Sequence, residues 1–244
     1  MAEHSGTGRI GALDMARTLA LVCMAVFHFT VDLEMFSYIP QGTTTSGGWA
    51  VFARLIAGSF ISLAGVSLFL AHGGGVRWPA AGKRLLKVAM AAALVTLATR
   101  LALPQGVIFY GILHSIFVSS LIGLLFLRTH EAVTIAVAAA VWALPYVYRS
   151  EVFDAPWLVW TGLAERVPFT MDFEPLFPWL APLLFGIAFA KLAARSGLWD
   201  RLRSRPASGG LAAWLGWPGR HSLAVYLIHQ PVLIAVVYVY TVYL

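Results

Sequence analysis

Arg17 and His28 lie at the two ends of an apolar stretch, RTLALVCMAVFH. A charged or titratable side chain inside a membrane is costly, so it usually has a function or a partner. On a helix with 100° per residue, Asp14, Arg17, His28 and Asp32 share a face about 60° wide, and Arg17 and His28 are about 16 Å apart along the axis. Arginine suits a phosphate-bearing ligand and histidine suits proton transfer, with Asp32 one turn away to orient the imidazole.

This face also has a purely structural interpretation. Asp14 and Arg17 can lie at the membrane interface with their charged ends in water, while His28 packs between helices through hydrogen bonds. The presence of four such residues on one face favours the functional interpretation.

A second polar cluster is predicted in the last apolar block, GRHSLAVYLIHQP at residues 219–231. Ser222, Tyr226 and His229 fall within about 60° of one another on a helix, and Arg220 precedes them. Hydrogen-bond donors beside a basic loop suit an anionic, phosphate-bearing ligand. The alternative is interfacial anchoring and hydrogen-bonded helix packing.

Three other segments carry weaker signals. His114, in GILHSI, and Glu174, in FEPLFPWLAPLLFG, are candidates for contacts with an acceptor or an oxyanion. A lone histidine among apolar residues is more often a packing residue, however, and a loop carboxylate is usually solvated. The three prolines after Glu174 predict a broken helix, and the small residues of FISLAGVSLFLA predict close helix packing.

The elements that must position these residues are membrane helices. Hydrophobic residues make up 59% of the 244-residue chain and charged residues only 11%, against about 25% in a soluble domain. The sequence therefore predicts an all-α, polytopic transmembrane helix bundle that forms a single domain over residues 1–244. About seven spans are expected, at residues 14–35, 49–71, 84–103, 106–127, 131–149, 177–195 and 220–243.

The net charge of +6 comes from basic residues in short loops, which indicates membrane topology rather than nucleic-acid binding. Alternation of basic and non-basic loops predicts a cytoplasmic N-terminus and an outer location for the acidic segment 150–176. Cys23 is the single cysteine, so neither an intramolecular disulfide nor a metal site is expected. The N-terminal sequence MAEHSGTGRIGALD does not match a cleaved signal peptide.

Five segments in order resemble one family. LDMARTLALVCMAVFHFTVDL resembles the first-helix signature of bacterial membrane proteins related to the heparan-α-glucosaminide N-acetyltransferase catalytic domain. The other matching segments are FISLAGVSLFLA, YGILHSI, LFPWLAPLLFGIAFA and GRHSLAVYLIHQP. The spacing of Arg17 and His28 also resembles the R-x10-H pattern of the broader transmembrane acyltransferase group, which includes the acyltransferase-3 enzymes.

The resemblance implies a multi-pass protein of the bacterial inner membrane that transfers an acetyl or acyl group from cytoplasmic acetyl-CoA or another acyl-CoA. The acceptor would be a sugar-like hydroxyl or amine at the outer face. His28 would be the catalytic base, assisted by Asp32, and Arg17 would contact the donor. Further donor contacts are expected from Asp14, Arg220, Ser222, Tyr226 and His229, with Lys83 or Arg84 in addition. The chain has Thr18 where the family usually has glycine, and it is shorter than the larger relatives.

Three other interpretations of the sequence differ in what the chain binds. An accessory subunit or assembly factor of a larger membrane complex would use its apolar faces to bind other helices. A haem-binding electron carrier would use two of His28, His114 and His229 as axial ligands, and a transporter would normally contain an internal repeat. Expected partners are membrane lipids and acyl-CoA, with a homodimer or larger membrane complex as an option.

Overall fold

The structure is a computed structural model that describes residues 9–204 and 210–243. The regular elements of this part are helices, short 3-10 turns and one isolated parallel bridge between Tyr110 and Phe173. The helices α1 to α10 are, in order, Gly11–Met35, Gly47–His72, Trp78–Ala102, Ile112–Leu125, Glu131–Val147, Leu176–Arg195, Leu198–Arg203, Gly210–Leu215, Trp217–Arg220 and Ser222–Tyr243. The predicted all-α membrane fold is confirmed.

Helices occur at all seven places where spans were predicted, but they differ in length. Five of them, α1, α2, α3, α6 and α10, are long and apolar enough to cross a membrane. The helices α4 and α5 have 14 and 17 residues, below the ~20 residues that a crossing needs. The fourth predicted span began at residue 106, whereas α4 begins at Ile112, after a 3-10 turn at Pro104–Gly106. The count of seven crossings therefore stays a prediction.

The chain folds as two compact units. The first unit contains residues 1–56 and 194–244, and the second contains residues 57–193. The family-like segments are distributed over both units, and the single-domain organisation stays a prediction. Residues 1–8 and 205–209, which include part of the predicted N-terminal segment and of the last basic loop, lie outside the described residues.

In the first unit, α1 and α10 lie side by side and run in the same direction. Hydrogen bonds join α1 and the segment that follows it to α10 at successive levels: His28 pairs with His229, Asp32 with Gln230, and Tyr38 with Thr241. A first and a last span that are parallel require an odd number of crossings in total. Both five and seven crossings satisfy this condition.

The second unit is centred on α6. Its most buried large side chains are Ile61, Leu68, Leu183, Leu184 and Ile187. The backbones of α2 and α6 approach closely, because a Cβ atom at Gly65 would contact the backbone of Leu183 and one at Gly186 would contact the backbone of Ser62. This confirms the close packing that the small residues of α2 predict.

Two further features shape the second unit. The helix α6 is interrupted at Phe177, whose φ of −102° and ψ of 124° are not helical, as the prolines predict. Lys191, on the same helix and buried, donates from Nζ to the carbonyl oxygens of Phe126 and Thr129, each at 2.6 Å. The Lys191 ammonium thereby holds the turn between α4 and α5, and its buried charge is satisfied by hydrogen bonds.

Candidate active site

A pair of histidines joins α1 and α10 in the first unit. His28 Nδ1 lies 2.6 Å from His229 Nε2, and the two rings are 17° from parallel with centroids 4.9 Å apart. On its other side, His229 Nδ1 lies 2.5 Å from the carbonyl oxygen of Tyr226. The bond to Tyr226 is local to α10, whereas the pair itself joins residues 201 positions apart. Sequence analysis placed His229 among the donor contacts, and the structure places it against His28.

The hydrogen-bond chain determines which nitrogen of each neutral ring carries the proton. A carbonyl oxygen only accepts, so His229 Nδ1 carries hydrogen and donates to Tyr226. His229 Nε2 then has a lone pair and accepts from His28 Nδ1–H. His28 Nε2 is left with its lone pair. The arrangement orients His28 as a base that takes a proton at Nε2.

Asp32 has a different partner from the one expected. Its Oδ1 accepts a hydrogen bond of 2.6 Å from Gln230 Nε2. Its Oδ2 is buried and has no hydrogen-bond partner among the described residues. The predicted hydrogen bond from Asp32 to the His28 ring is therefore wrong, because α10 presents an amide to the carboxylate and an imidazole to His28. A catalytic role for Asp32 stays a prediction.

A charged cluster lies near the first turn of α1. Asp14 is 4% exposed and binds Arg17 at 2.9 Å and Arg9 at 2.6 Å. Arg17 keeps 23% of its side chain exposed. Asp14, Arg17 and His28 belong to one continuous helix, so the ~16 Å separation of Arg17 and His28 along the axis is retained.

Thr18 joins this charged end of α1 to α9. Its hydroxyl donates to the Asp14 carbonyl oxygen at 3.1 Å and accepts from the Gly219 N–H at 2.9 Å. A Cβ at Gly219 would lie 2.8 Å from the Asp14 carbonyl carbon, so the two backbones pack without space for a side chain. Thr18, at the position where the family usually has glycine, thus makes the hydrogen bond that holds α9 against α1.

The other predicted donor contacts surround this junction. Arg220 ends α9 and donates from Nη2 to the Ala213 carbonyl oxygen at 2.7 Å. Ser222 begins α10, and the ring of Tyr226 lies 5.6 Å from that of His229 between centroids. A turn at His221 separates α9 from α10, so Arg220 and Ser222 belong to different helices rather than to one.

The remaining predicted residues lie in the second unit. His114 has both ring nitrogens engaged, with Thr96 Oγ1 at 3.3 Å and the Gly111 N–H at 3.3 Å, which supports the packing interpretation. Glu174 is half-buried, and its backbone N–H donates to the Tyr110 carbonyl oxygen. Lys83 is exposed on α3, and Arg84 Nη2 donates to the Ala64 carbonyl oxygen at 3.4 Å.

Asp172 in the second unit caps α4, a role that sequence analysis did not predict. Its Oδ2 accepts a hydrogen bond of 3.0 Å from the Ile112 N–H, at the first residue of the helix. Burial raises the pKa of the Asp172 carboxyl to about 6, against the opposing effect of this hydrogen bond. Burial thus favours the neutral carboxyl, whereas the capping hydrogen bond by itself favours the ionised form.

The histidine pair is unlike a metal or haem site. Two nitrogens that bind one metal from opposite sides are about 4 Å apart, given metal–nitrogen distances of ~2 Å, whereas His28 and His229 are joined by a hydrogen bond of 2.6 Å. In the described part of the chain, no group of three or more His, Cys, Asp or Glu side chains is placed to hold a metal ion.

Comparison with protein families gives one match. The family model described as "Heparan-alpha-glucosaminide N-acetyltransferase, catalytic" matches residues 9–231. The chain belongs to this family. Membership indicates a membrane acetyltransferase, and the several apolar helices agree with a multi-pass membrane protein. In comparisons with curated proteins and with solved structures, nothing matches the chain.

The family match includes residues that sequence analysis did not predict as site residues. Arg9, Thr18, Gly219 and Gln230 all lie within residues 9–231 and all contact predicted site residues. Gln230 directly follows His229 in the sequence, so Gln230 could have been predicted as a further polar residue of the site on α10. Thr18 was noted only as a departure from the family's glycine, and its contact with Gly219 depends on how α9 meets α1.

Proposed function

We propose that the protein transfers an acetyl group from cytoplasmic acetyl-CoA to a sugar-like hydroxyl or amine at the outer face of a bacterial inner membrane. The observation that carries this proposal is the His28–His229 pair, which leaves the lone pair of His28 Nε2 available for proton transfer. Membership of the acetyltransferase family supports the choice of reaction.

The charged end of α1 binds the donor in this proposal. Arg17 is partly exposed and Arg220 lies on the adjoining α9, so two guanidinium groups are near the proposed cytoplasmic end. Guanidinium groups match phosphate oxygens in geometry and charge. Asp14 positions Arg17 rather than contacting the anionic donor, since its carboxylate is buried between two arginines. The ~16 Å from Arg17 to His28 is comparable to an extended pantetheine arm.

The transfer step uses His28 as general base. As the acceptor oxygen or nitrogen attacks the thioester carbonyl carbon, its proton moves to His28 Nε2. The bond from the carbonyl carbon to sulfur then breaks, and the leaving thiolate takes the proton from His28 to give free coenzyme A. The imidazolium formed in between keeps its Nδ1–H bonded to His229, which stabilises the positive charge. Transient acetylation of His28 itself is the alternative route.

The test is transfer of radiolabelled acetyl groups from acetyl-CoA to glucosamine by purified protein in detergent. His28→Ala should lower the transfer rate by about 10²- to 10⁴-fold, the usual contribution of a general base. Binding of acetyl-CoA, measured by calorimetry, should stay within a few-fold of wild type. His130→Ala serves as the matched control, because His130 is an exposed histidine at the start of α5.

Arg17→Gln tests the donor site separately. It should weaken acetyl-CoA binding at least tenfold, while Asp14 keeps its ion pair with Arg9. Full transfer activity in His28→Ala would contradict the proposed base. Absence of acetyl-CoA binding to folded wild-type protein would favour the accessory-subunit interpretation instead.

A further inference from the structure

One face of α3, in the second unit, is exposed along most of the helix. In the apolar window of α3 that is long enough to cross a membrane, 11% of the residues are buried, against 67% in α6. At 100° per residue, six exposed side chains of α3 share a stripe about 80° wide. These residues, called the α3 stripe below, are Lys83, Lys87, Met90, Leu94, Leu97 and Leu101.

The α3 stripe is charged at one end and apolar over the rest of its length. Lys83 and Lys87 are one helical turn apart, about 6 Å along the axis, at the N-terminal end. The apolar part extends for about 17 Å, from Met90 to Leu101. This length is close to half of the ~30 Å hydrocarbon core, which is the depth of one leaflet. The order of charge and apolar surface therefore matches a phospholipid that lies along α3.

Lys87 lies one turn farther inside the span than Lys83. Because Cα–Cβ bonds in a helix tilt toward its N-terminus, a lysine stem here can follow α3 back toward the membrane surface. We therefore expect both ammonium groups to meet near the same level at the N-terminal end of α3. An ammonium on a lipid-facing surface at this depth is costly, and an anion that pairs with it lowers this cost.

Neither lysine makes an ion pair within the ranges that the structure describes, residues 9–204 and 210–243. Residues 35–130 contain neither Asp nor Glu. Arg84, which lies beside Lys83 in the sequence, differs from both lysines, because it is half-buried and its Nη2 donates to the Ala64 carbonyl oxygen. The two exposed charges of the α3 stripe are thus available to an external anion.

The charged end of the α3 stripe is predicted to face the cytoplasm, because basic residues that flank membrane helices stay on that side. Trp78, the first residue of α3, is 69% exposed, and tryptophan is favoured at the membrane interface. Anionic lipids give the cytoplasmic leaflet a negative surface that attracts basic residues close to the membrane. The lysines therefore lie at the end of α3 where phosphate head groups are found.

We propose that α3 binds an anionic phospholipid of the cytoplasmic leaflet, with the lipid phosphate at Lys83 and Lys87 and an acyl chain along the apolar part of the α3 stripe. The phosphate lies at the membrane surface and the chain points toward the bilayer centre, as in the surrounding leaflet. This site does not depend on the proposed acetyl transfer. It gives Lys83 a membrane partner in place of the expected contact with acetyl-CoA.

Binding is tested by native mass spectrometry of the detergent-purified protein titrated with dioleoyl phosphatidylglycerol or dioleoyl phosphatidylcholine. The first phosphatidylglycerol should bind at least tenfold more tightly than the first phosphatidylcholine. Each lysine near an anionic surface contributes about fivefold to affinity. We therefore expect phosphatidylglycerol binding to weaken about fivefold in Lys87→Gln and about 25-fold in Lys83→Gln/Lys87→Gln.

Arg100→Gln/Arg128→Gln is the matched control. It also removes two exposed cations from the second unit, but neither residue belongs to the α3 stripe. Its affinity for phosphatidylglycerol should stay within twofold of wild type. Equal weakening in the control and in the double lysine variant would mean a general attraction to net positive charge and would overturn the proposal.

The position of the chain is tested with phosphatidylglycerol that carries a photoreactive diazirine midway along one acyl chain, on protein in phosphatidylcholine nanodiscs. Cross-links mapped by mass spectrometry should concentrate on the apolar residues of the α3 stripe. They should fall at least fivefold in Lys83→Gln/Lys87→Gln. Equal labelling of the exposed faces of α3 and α10 in both proteins would mean bulk lipid only and would contradict the site.

Competition and mass distinguish the lipid from other occupants of the α3 stripe. Displacement of phosphatidylglycerol by inorganic phosphate or by acetyl-CoA would assign the lysines to a soluble anion. A dimer that dissociates in the lysine variants would assign the α3 stripe to a second copy of the chain. Either result would overturn the proposal. Since none of these measurements uses acetyl transfer, loss of the proposed function would leave the lipid site standing.

Discussion

At the scale of single residues, the proposed base depends on a partner from a distant part of the chain. Asp32 is one helical turn from His28 and was the expected orienting group, but its carboxylate bonds to Gln230. His229 takes the orienting position, with its own tautomer set by the Tyr226 carbonyl oxygen. Because His229 is a neutral imidazole, it places no negative charge beside His28. It therefore orients His28 chiefly by fixing which ring nitrogen of His28 carries the proton.

Replacing His229 tests this positioning role. In His229→Phe the His28 Nδ1–H has no acceptor, so the tautomer with its lone pair on Nδ1 becomes accessible. We expect kcat to fall about 10²-fold or more, with acetyl-CoA affinity unchanged by calorimetry. His229→Gln offers an amide oxygen to the same N–H and should recover part of kcat. Equal loss in both variants, together with weaker acetyl-CoA binding, would instead agree with a donor contact.

At the scale of elements, the site depends on the contact of α9 with α1. Thr18 and Gly219 make this contact through the Thr18 hydroxyl and the Gly219 backbone. The contact lies at the charged end of α1, so it sets where Arg220 lies relative to the Asp14–Arg17 pair. The short helix α9 is therefore part of the proposed donor site even though it is too short to span the membrane.

Gly219→Ala tests the α9 contact. The new Cβ would lie against the Asp14 carbonyl group and within 3.0 Å of Thr18 Oγ1, so one of the backbones must shift. Such overpacking costs about 1–3 kcal/mol. We expect a lower Tm in detergent and weaker acetyl-CoA binding. Gly48→Ala in α2 is the control, because a Cβ there meets no atom within 4 Å and its Tm should not fall.

The cap of α4 makes a pH-dependent contribution to stability. The pKa of Asp172 is raised from 3.8 to about 6, so the folded protein favours the protonated carboxyl. Its stabilising contribution is complete below about pH 4 and is lost as the pH rises through about 6. Asn keeps an acceptor for the Ile112 N–H without the charge. Asp172→Asn should therefore have a Tm a few degrees above wild type at pH 8.

The advantage of Asp172→Asn should disappear at pH 4.5, where the wild-type carboxyl is protonated. Thermal unfolding of the detergent-solubilised protein across this pH range measures both limits. Asp172→Ala, which removes the acceptor, should lower the Tm at either pH. A Tm advantage of Asp172→Asn that is the same at pH 4.5 and pH 8 would contradict the raised pKa.

At the scale of the whole molecule, the direction of the helices and the charge of the loops together predict the membrane topology. If α1 and α10 both cross the membrane, their parallel arrangement places the start of α1 and the end of α10 on opposite sides. Arg77, just before α3, and Lys83 and Arg84, in the first turns of α3, predict that this end of α3 is cytoplasmic, since basic residues flanking membrane helices stay in the cytoplasm. The proposed donor end of α1 is then cytoplasmic and the end of α10 lies outside.

Reporter fusions test this topology in a bacterial host. Green fluorescent protein fused before residue 1 should fluoresce, and the same protein fused after residue 244 should not, while alkaline phosphatase at that end should be active. A fusion truncated after Gly75, in the basic loop that follows α2, should fluoresce as a cytoplasmic control. Fluorescence at both termini would require an even number of crossings and would contradict the parallel pairing of α1 and α10.

Much of the fold follows from the sequence because membrane helices are specified locally. An apolar block of about 20 residues has no stable alternative to a helix in hydrocarbon, since its backbone groups must bond within the segment. The distance from Arg17 to His28 is likewise a property of one helix. Sequence analysis therefore placed the long helices and the polar face of α1 without any tertiary information, and the break near Phe177 followed from its prolines.

The partners of the polar residues were decided only by the tertiary structure. His28 bonds to His229 rather than to nearby Asp32, because the side chain that α10 presents depends on how two distant helices align. The start of α4 depends on Asp172, 60 positions away, which caps Ile112 where hydrophobicity alone extended the helix to residue 106. Periodicity and composition specify elements within a segment, whereas a hydrogen bond between segments requires the packed structure that brings both of its atoms together.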